Sequence, residues 1–258
     1  IRKPTKKNPL AITSQHDDNV HPEDWKTIER CIEWLNSPTP AAVPWLLYCS
    51  LNIPHPPFNT NATWLSSVNE SLVGVPPWVD PTNASARAHP YDAYMSISKA
   101  VDGAFTQAQI RKVRATYYAM CAETDYMLGR VLTAAGSHPE YHNTFVIFLS
   151  DHGEMNMEHR QVWKNSMYEA SARVPLIVSG GALPDAVRGT VVTDLVSLLD
   201  VYPTLMSWAG AAAPSRPAPG VELSGTTLAP YLGGAAAPRA DFVTAQYHSN
   251  MANTGAFM

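Results

Sequence analysis

The sequence predicts an α/β fold in which a mainly parallel sheet is flanked by helices, and three observations carry that reading. Residues 144–150 and 174–179 are apolar almost from end to end, the pattern of strands covered on both faces rather than the alternation of a strand with one wet face. Around these runs lie segments whose apolar residues recur at spacings of three and four, and strands alternating with helices argue for parallel pairing. Ionisable side chains stand where two runs end, His55 after one and Asp151 with His152 after another. Folds of this class gather function at the carboxyl ends of strands.

Taken in order, residues 22–35 read as an amphipathic helix. Pro22 suits the first turn, Glu23 and Asp24 face the positive end of the helix dipole, and Trp25, Ile28, Ile32 and Leu35 share a face. Asp17-Asp18 lies before a helix and not after a strand, so it reads as polarity ahead of the first turn. Residues 45–52 form an apolar run ended by Pro54-His55-Pro56-Pro57, a buried strand running out into a loop. Residues 59–104, rich in Pro, Asn and Ser, read as an irregular excursion over the surface. Thr106 and Gln109 then make a capping-box pattern opening a long helix, with Ile110, Val113, Tyr117, Cys121, Leu128 and Val131 on one face and Gly136 as its stop. Asp151-His152-Gly153-Glu154 follows the run 144–150, and Gly180-Gly181 follows 174–179. Leu195, Leu198, Leu199 and Leu205 give residues 194–208 helical spacing, and the Ala- and Pro-rich stretch 209–219 reads as an exposed connection.

Composition narrows the function. The formal charge of −4 lacks the excess base that nucleic acid requires, and no nucleic-acid partner is expected. No apolar run approaches the roughly 20 residues of a membrane span, and the longest, 41–49, is interrupted by Pro44. Cys31, Cys49 and Cys121 are too few and too dispersed for a disulfide framework and read as small buried hydrophobes. Three sequons within one stretch, at Asn61, Asn69 and Asn83, point to the secretory pathway, with a lysosomal or extracellular destination.

The chemistry concentrates in residues 149–175, where many ionisable groups follow a buried strand. Asp151 and His152 are consecutive and can both reach one cation if the backbone turns, which Gly153 permits. Taken alone, such a polar tripeptide after a strand is more often a plain turn.

The segment as a whole resembles the sulfatase family, within the alkaline-phosphatase-like superfamily. The resemblance is carried by Ser150-Asp151-His152-Gly153-Glu154, by Met157-Glu158-His159-Arg160-Gln161, by Lys164 with Ser166-Met167-Tyr168-Glu169-Ala170-Ser171-Ala172, and by Val174-Pro175-Leu176. Glu23-Asp24-Trp25, the segment from Tyr117 to Asp125, and Tyr247-His248 extend it over nearly the whole chain. It implies an alkaline-phosphatase-like sulfatase catalytic domain, of which 1–258 would be the later part of a single domain. The chain opens at Ile1 and closes on a strand-and-turn pattern at 241–258, as expected of a cut from a longer protein.

For the site, the resemblance implies that Asp151 and His152 bind a divalent cation, usually Ca2+, and that His55 and Lys164 contact the sulfate and leaving-group oxygens. The physics agrees, because fixed cations around a spreading negative charge are worth several kcal/mol. His159, Arg160 and His248 are the expected substrate-binding residues, with the planar fork of Arg160 suited to a uronate carboxylate. The implied reaction is removal of sulfate from a sulfated sugar, a uronate 2-sulfate of glycosaminoglycan type. The implied nucleophile is a formylglycine made by the formylglycine-generating enzyme from a C-x-P/A-x-R motif. None of the three cysteines here lies in such a motif, so the nucleophile is expected upstream and this stretch is expected to be inactive by itself. Two other readings remain open: a phosphodiesterase or phosphatase of the same superfamily, and a non-catalytic binder of sulfated glycans.

Overall fold

The computed structural model describes residues 15–16, 20–38, 43–77, 89–211, 225–235, 241–245, 247–248 and 256–257. Helix α1, Pro22–Asn36, opens on Pro22 with Glu23 and Asp24 in its first turn and buries Ile28, Cys31 and Leu35. Helix α4, Gln107–Ser137, opens on the full capping box, Thr106 accepting from the Gln109 backbone and the Gln109 side chain accepting from Thr106 N. It runs through Gly136 and stops at His138 instead. The reason is Pro139, which holds the preceding residue extended, at ψ 135°.

The two helices pack around one core that joins Ile28 to Ile110, Val113, Met120 and Met127, and Met157 and Val162 from the loop after Asp151 enter the same core. A polar clamp fixes them in register: the buried Glu123 carboxylate of α4 accepts from Trp25 Nε1 at 2.8 Å and contacts His21 Nδ1 at 2.9 Å. Asp24 Oδ1 accepts from Asn52 N at 2.6 Å, which ties α1 to the chain that delivers His55.

The strands depart from expectation in direction. Strand β1, Gln15–His16, pairs in parallel with β2, Thr60–Asn61. Strand β3, Val146–Leu149, pairs antiparallel with β4, Leu176–Ser179, setting Phe148 opposite Ile177, and β5, Tyr247–His248, pairs antiparallel with β6, Ala256–Phe257. A mainly parallel sheet is therefore not what the described strands form. Parallel return needs a crossover element that spans the sheet. The chain between β3 and β4 holds a 3-10 turn, Glu158–Arg160, the four-residue α5, Glu169–Ala172, and loops that fold back. Residues 45–52 are extended with Trp45, Leu47, Cys49 and Leu51 turned inward, but they join no ladder among the described residues.

Two further expectations change. The stretch 59–104 carries helix α2, Ala62–Ser66, and helix α3, Pro90–Ser98, and buries Met95, Lys99 and Val101, so much of it is packed structure rather than irregular surface. Val101 joins the core with Met120 of α4 and with Met157 and Val162, whereas Leu72 and Ile97 stay exposed. Helix α6, Val201–Trp208, follows a 3-10 turn, Leu198–Asp200, with no helix over 194–197. The Ser197 and Asp200 capping box places the start there. A short α7, Ala229–Leu232, lies beyond it. Asp17-Asp18, Asn83 and most of 209–219 fall outside the described residues.

Candidate active site

The end of β3 presents Asp151 and His152. Gly153 lets the backbone turn hard against α5: its N–H donates to Ser171 O at 2.8 Å, and a Cβ there would lie 2.1 Å from Ala170 O. Any other residue would push the turn away from the site. Ser150 Oγ donates to His152 O at 2.7 Å, and His152 N donates to Asp151 Oδ1 at 3.0 Å. His152 Nδ1 lies 2.8 Å from Gly153 O, which only accepts, so Nδ1 carries the proton and Nε2 presents a lone pair.

That lone pair stands 3.7 Å from Asp151 Oδ2. Two acceptors that close fit adjacent positions around one cation, whose bonds to oxygen run about 2.0–2.6 Å. The residues present thus fit a divalent cation and would supply two of its donors. No cluster of three ligating side chains occurs among the described residues. An imidazole nitrogen also suits manganese or zinc at least as well as calcium, which prefers oxygen.

His55 reaches the same place from the other half of the chain. It sits in the loop after 45–52, its N–H donating to Asn52 O at 2.8 Å and its Nδ1 lying 2.7 Å from Pro56 O. By the same reasoning Nδ1 carries the proton and Nε2 accepts. The Lys164 ammonium contacts that Nε2 across 109 positions of sequence. The His55 and His152 rings lie edge to face, 6.1 Å between centroids. The structure thus brings together His55, Lys164, His152 and Asp151.

Two groups beside them were not singled out from sequence. Glu154 accepts from the backbone N–H groups of Asn156, at 3.0 Å, and Trp163. Burial pushes its carboxyl up to about 7 against those hydrogen bonds and the nearby Lys164 and Lys99. Lys99 is buried at the end of α3 with its ammonium 4.0 Å from the centroid of the Trp163 ring. Burial first, and repulsion from Lys164 second, pull it down to about 8. Glu154 stood in plain sight in the Asp-His-Gly-Glu run, whereas Lys99 had no signal: a lone lysine reads as a solvated charge.

The expected recognition residues fare differently. The exposed His159 ring stacks on Tyr168 at 3.7 Å and 4°. Arg160 Nη2 donates to Asp102 O and Gly103 O, both at 2.9 Å, so that nitrogen anchors the loop to the chain between α3 and α4 where a carboxylate clamp was expected. The side chain of His248 lies outside the described residues.

The sulfatase family profile matches residues 7–211, and the chain belongs to the sulfatase family. Its curated relatives include arylsulfatase K of Canis lupus familiaris, 40% identical over 221 residues that cover 80% of this chain and 39% of that protein. Arylsulfatase K of Mus musculus is 37% identical over 267 residues, 96% of this chain and 46% of that protein. The chain thus spans less than half the length of these relatives. Among solved structures, the phosphonate monoester hydrolase of Agrobacterium radiobacter shares 26% identity at a TM-score of 0.72, covering 87% of this chain and 45% of that one. That likeness is consistent with an alkaline-phosphatase-like domain. Sulfatases generally use a divalent cation and a formylglycine.

Proposed function

We propose that the complete protein containing this chain hydrolyses a sulfate ester. The observation that carries the reading is the convergence of His55 and Lys164 on the end of β3, where Asp151 and His152 present two facing acceptors. A cation held by Asp151 and His152 would supply positive charge against the sulfate oxygens. Lys164 binds an ester oxygen and follows the charge as it grows toward the leaving group, the kind of contact worth about 2.7–4 kcal/mol in a site closed to water. When the S–O bond to the sugar breaks, the departing oxygen takes the proton that the Lys164 ammonium shares with His55 Nε2, a step general acids accelerate by about 10²–10⁴. The nucleophile, a formylglycine, comes from outside these 258 residues.

The finer assignment is a sulfated sugar of glycosaminoglycan type, a uronate 2-sulfate, met in the lysosome or outside the cell. His159, exposed and flat on Tyr168, would offer an aromatic face to a sugar ring, with His248 as the further recognition residue. The likeness to a phosphonate monoester hydrolase favours one second reading, hydrolysis of a phosphorus ester at the same residues. The test compares purified complete protein on an aryl sulfate, a 2-sulfated uronate and a phosphonate monoester. Sulfate turnover that falls at least a hundredfold in both Lys164→Ala and His55→Ala is expected. Preferential turnover of the phosphonate would install the second reading, and binding of the sulfated sugar without turnover would install a binder.

A further inference from the structure

Lys164 rides on a loop whose backbone needs outside help. Between 156 and 165, Asn156, Met157, His159, Arg160, Trp163 and Asn165 all hold positive φ, from 41° to 74°. Non-glycine residues rarely adopt that region, and so many together persist only where the surroundings impose it. Helix α3 does the imposing. Tyr91 Oη donates to Asn165 O at 2.9 Å, and Ser96 Oγ donates to Arg160 O at 3.1 Å.

Asp92 of the same helix makes the two contacts that straddle the lysine. Its Oδ1 accepts from Gln161 Nε2 at 3.0 Å, three residues before Lys164, and its Oδ2 accepts from Tyr168 Oη at 2.7 Å, four residues after. Gln161 is buried, so its amide has few other partners to turn to. Burial and the neighbouring carboxylate push the Tyr168 phenol up to about 12, which keeps it a donor throughout the working range. Tyr168 in turn carries the stacked His159 ring.

We propose that Asp92 is a positioning residue for this site: one carboxylate, gripping the loop on both sides of Lys164, holds the conformation that presents the ammonium to His55. The inference rests on the proposed sulfate-ester chemistry and deepens it. Asp92 touches no reacting atom. It acts by fixing where the cation stands, and a displacement of about 1 Å at a charged catalytic group can cost a hundredfold in rate.

The test uses the complete protein and a thermodynamic cycle. Asp92→Ala should lower kcat for the sulfate ester by about 10- to 100-fold with KM changed less than threefold. Asp92→Asn should recover most of that loss, because an amide accepts from Gln161 with its oxygen and donates to the Tyr168 oxygen with its nitrogen. If Asp92 works through Lys164, Asp92→Ala in a Lys164→Ala background should cost about twofold or less, since coupled residues do not add. Full multiplicative losses would overturn the proposal, as would wild-type activity in Asp92→Ala. Amide exchange gives a reading that does not depend on turnover: Asp92→Ala should raise exchange at 156–168 at least tenfold while α1 and α4 stay protected. Should the wild type turn over no sulfate ester, the proposed function falls, and unchanged exchange in that loop would then overturn the clamp as well.

Discussion

Replacing Lys99 with Met isolates the electrostatic cost of building this site. Lys99 is 6% exposed, and its ammonium gives up its proton near pH 8 in the folded protein instead of near 10.5. Between those values the unfolded chain binds more protons than the folded one, so stability rises with pH. A gap of about 2.5 units at about 1.4 kcal/mol each corresponds to about 3 kcal/mol. That stability is fully present only above 10.5 and is lost as the pH falls through 8. Against it stands the Trp163 contact, 4.0 Å from ammonium to ring centroid, a type of interaction worth up to about 2 kcal/mol when desolvated. Urea denaturation of the complete wild-type protein and of Lys99→Met, repeated from pH 7.5 to 10.5, measures the balance. The phenol of Tyr168 and the thiol of Cys121 also shift upward, to about 12 and about 11, but both proteins carry them and the difference curve cancels them. The stability of the variant relative to the wild type should fall by about 3 kcal/mol across that range. Parallel curves would refute the reasoning. At neutral pH the ammonium stays charged at that cost, which an anion bound beside Lys99 and Lys164 would offset.

Two other expectations test the fold and the cation. Ile28→Ala, at a fully buried position between α1 and α4, should cost about 2–4 kcal/mol of unfolding free energy by denaturant titration. A loss under about 1 kcal/mol would mean that the helix interface collapses to fill the space. Asp151→Ala in the complete protein should lose bound divalent metal by elemental analysis together with activity, and the wild-type metal content will show whether calcium or a metal favouring imidazole occupies the site. Retained metal in the variant would remove Asp151 from the ligand set.

The local parts of this molecule are legible in the amino-acid sequence. Helix α1 opens at Pro22 as its acidic first turn indicates, and α4 opens on the Thr106 capping box, because caps and apolar periodicity act over three or four residues that sit side by side in the chain. Asp151 and His152 are neighbours in sequence, so their joint position at a strand end needs only the apolar run before them and the glycine after them, both of which follow local rules. His55 and Lys164 are matched to the site by motif, since nothing in their spacing announces contact.

What tertiary structure decides are the relations between distant segments. The direction of β4 depends on how the chain folds back after β3, with Gly153 pressed on Ala170 O, and an apolar run reads the same in either direction. The stretch 59–104 is polar on average, but α3 supplies Asp92, Tyr91 and Ser96 to a loop some seventy residues later, and its partners are invisible to any window along the chain. Lys99 and Arg160 show the same limit most sharply. A sequence states that a side chain is charged, but whether the charge is solvated, buried over an indole or committed to carbonyl oxygens is a property of the space around it, and that space is made by residues from elsewhere.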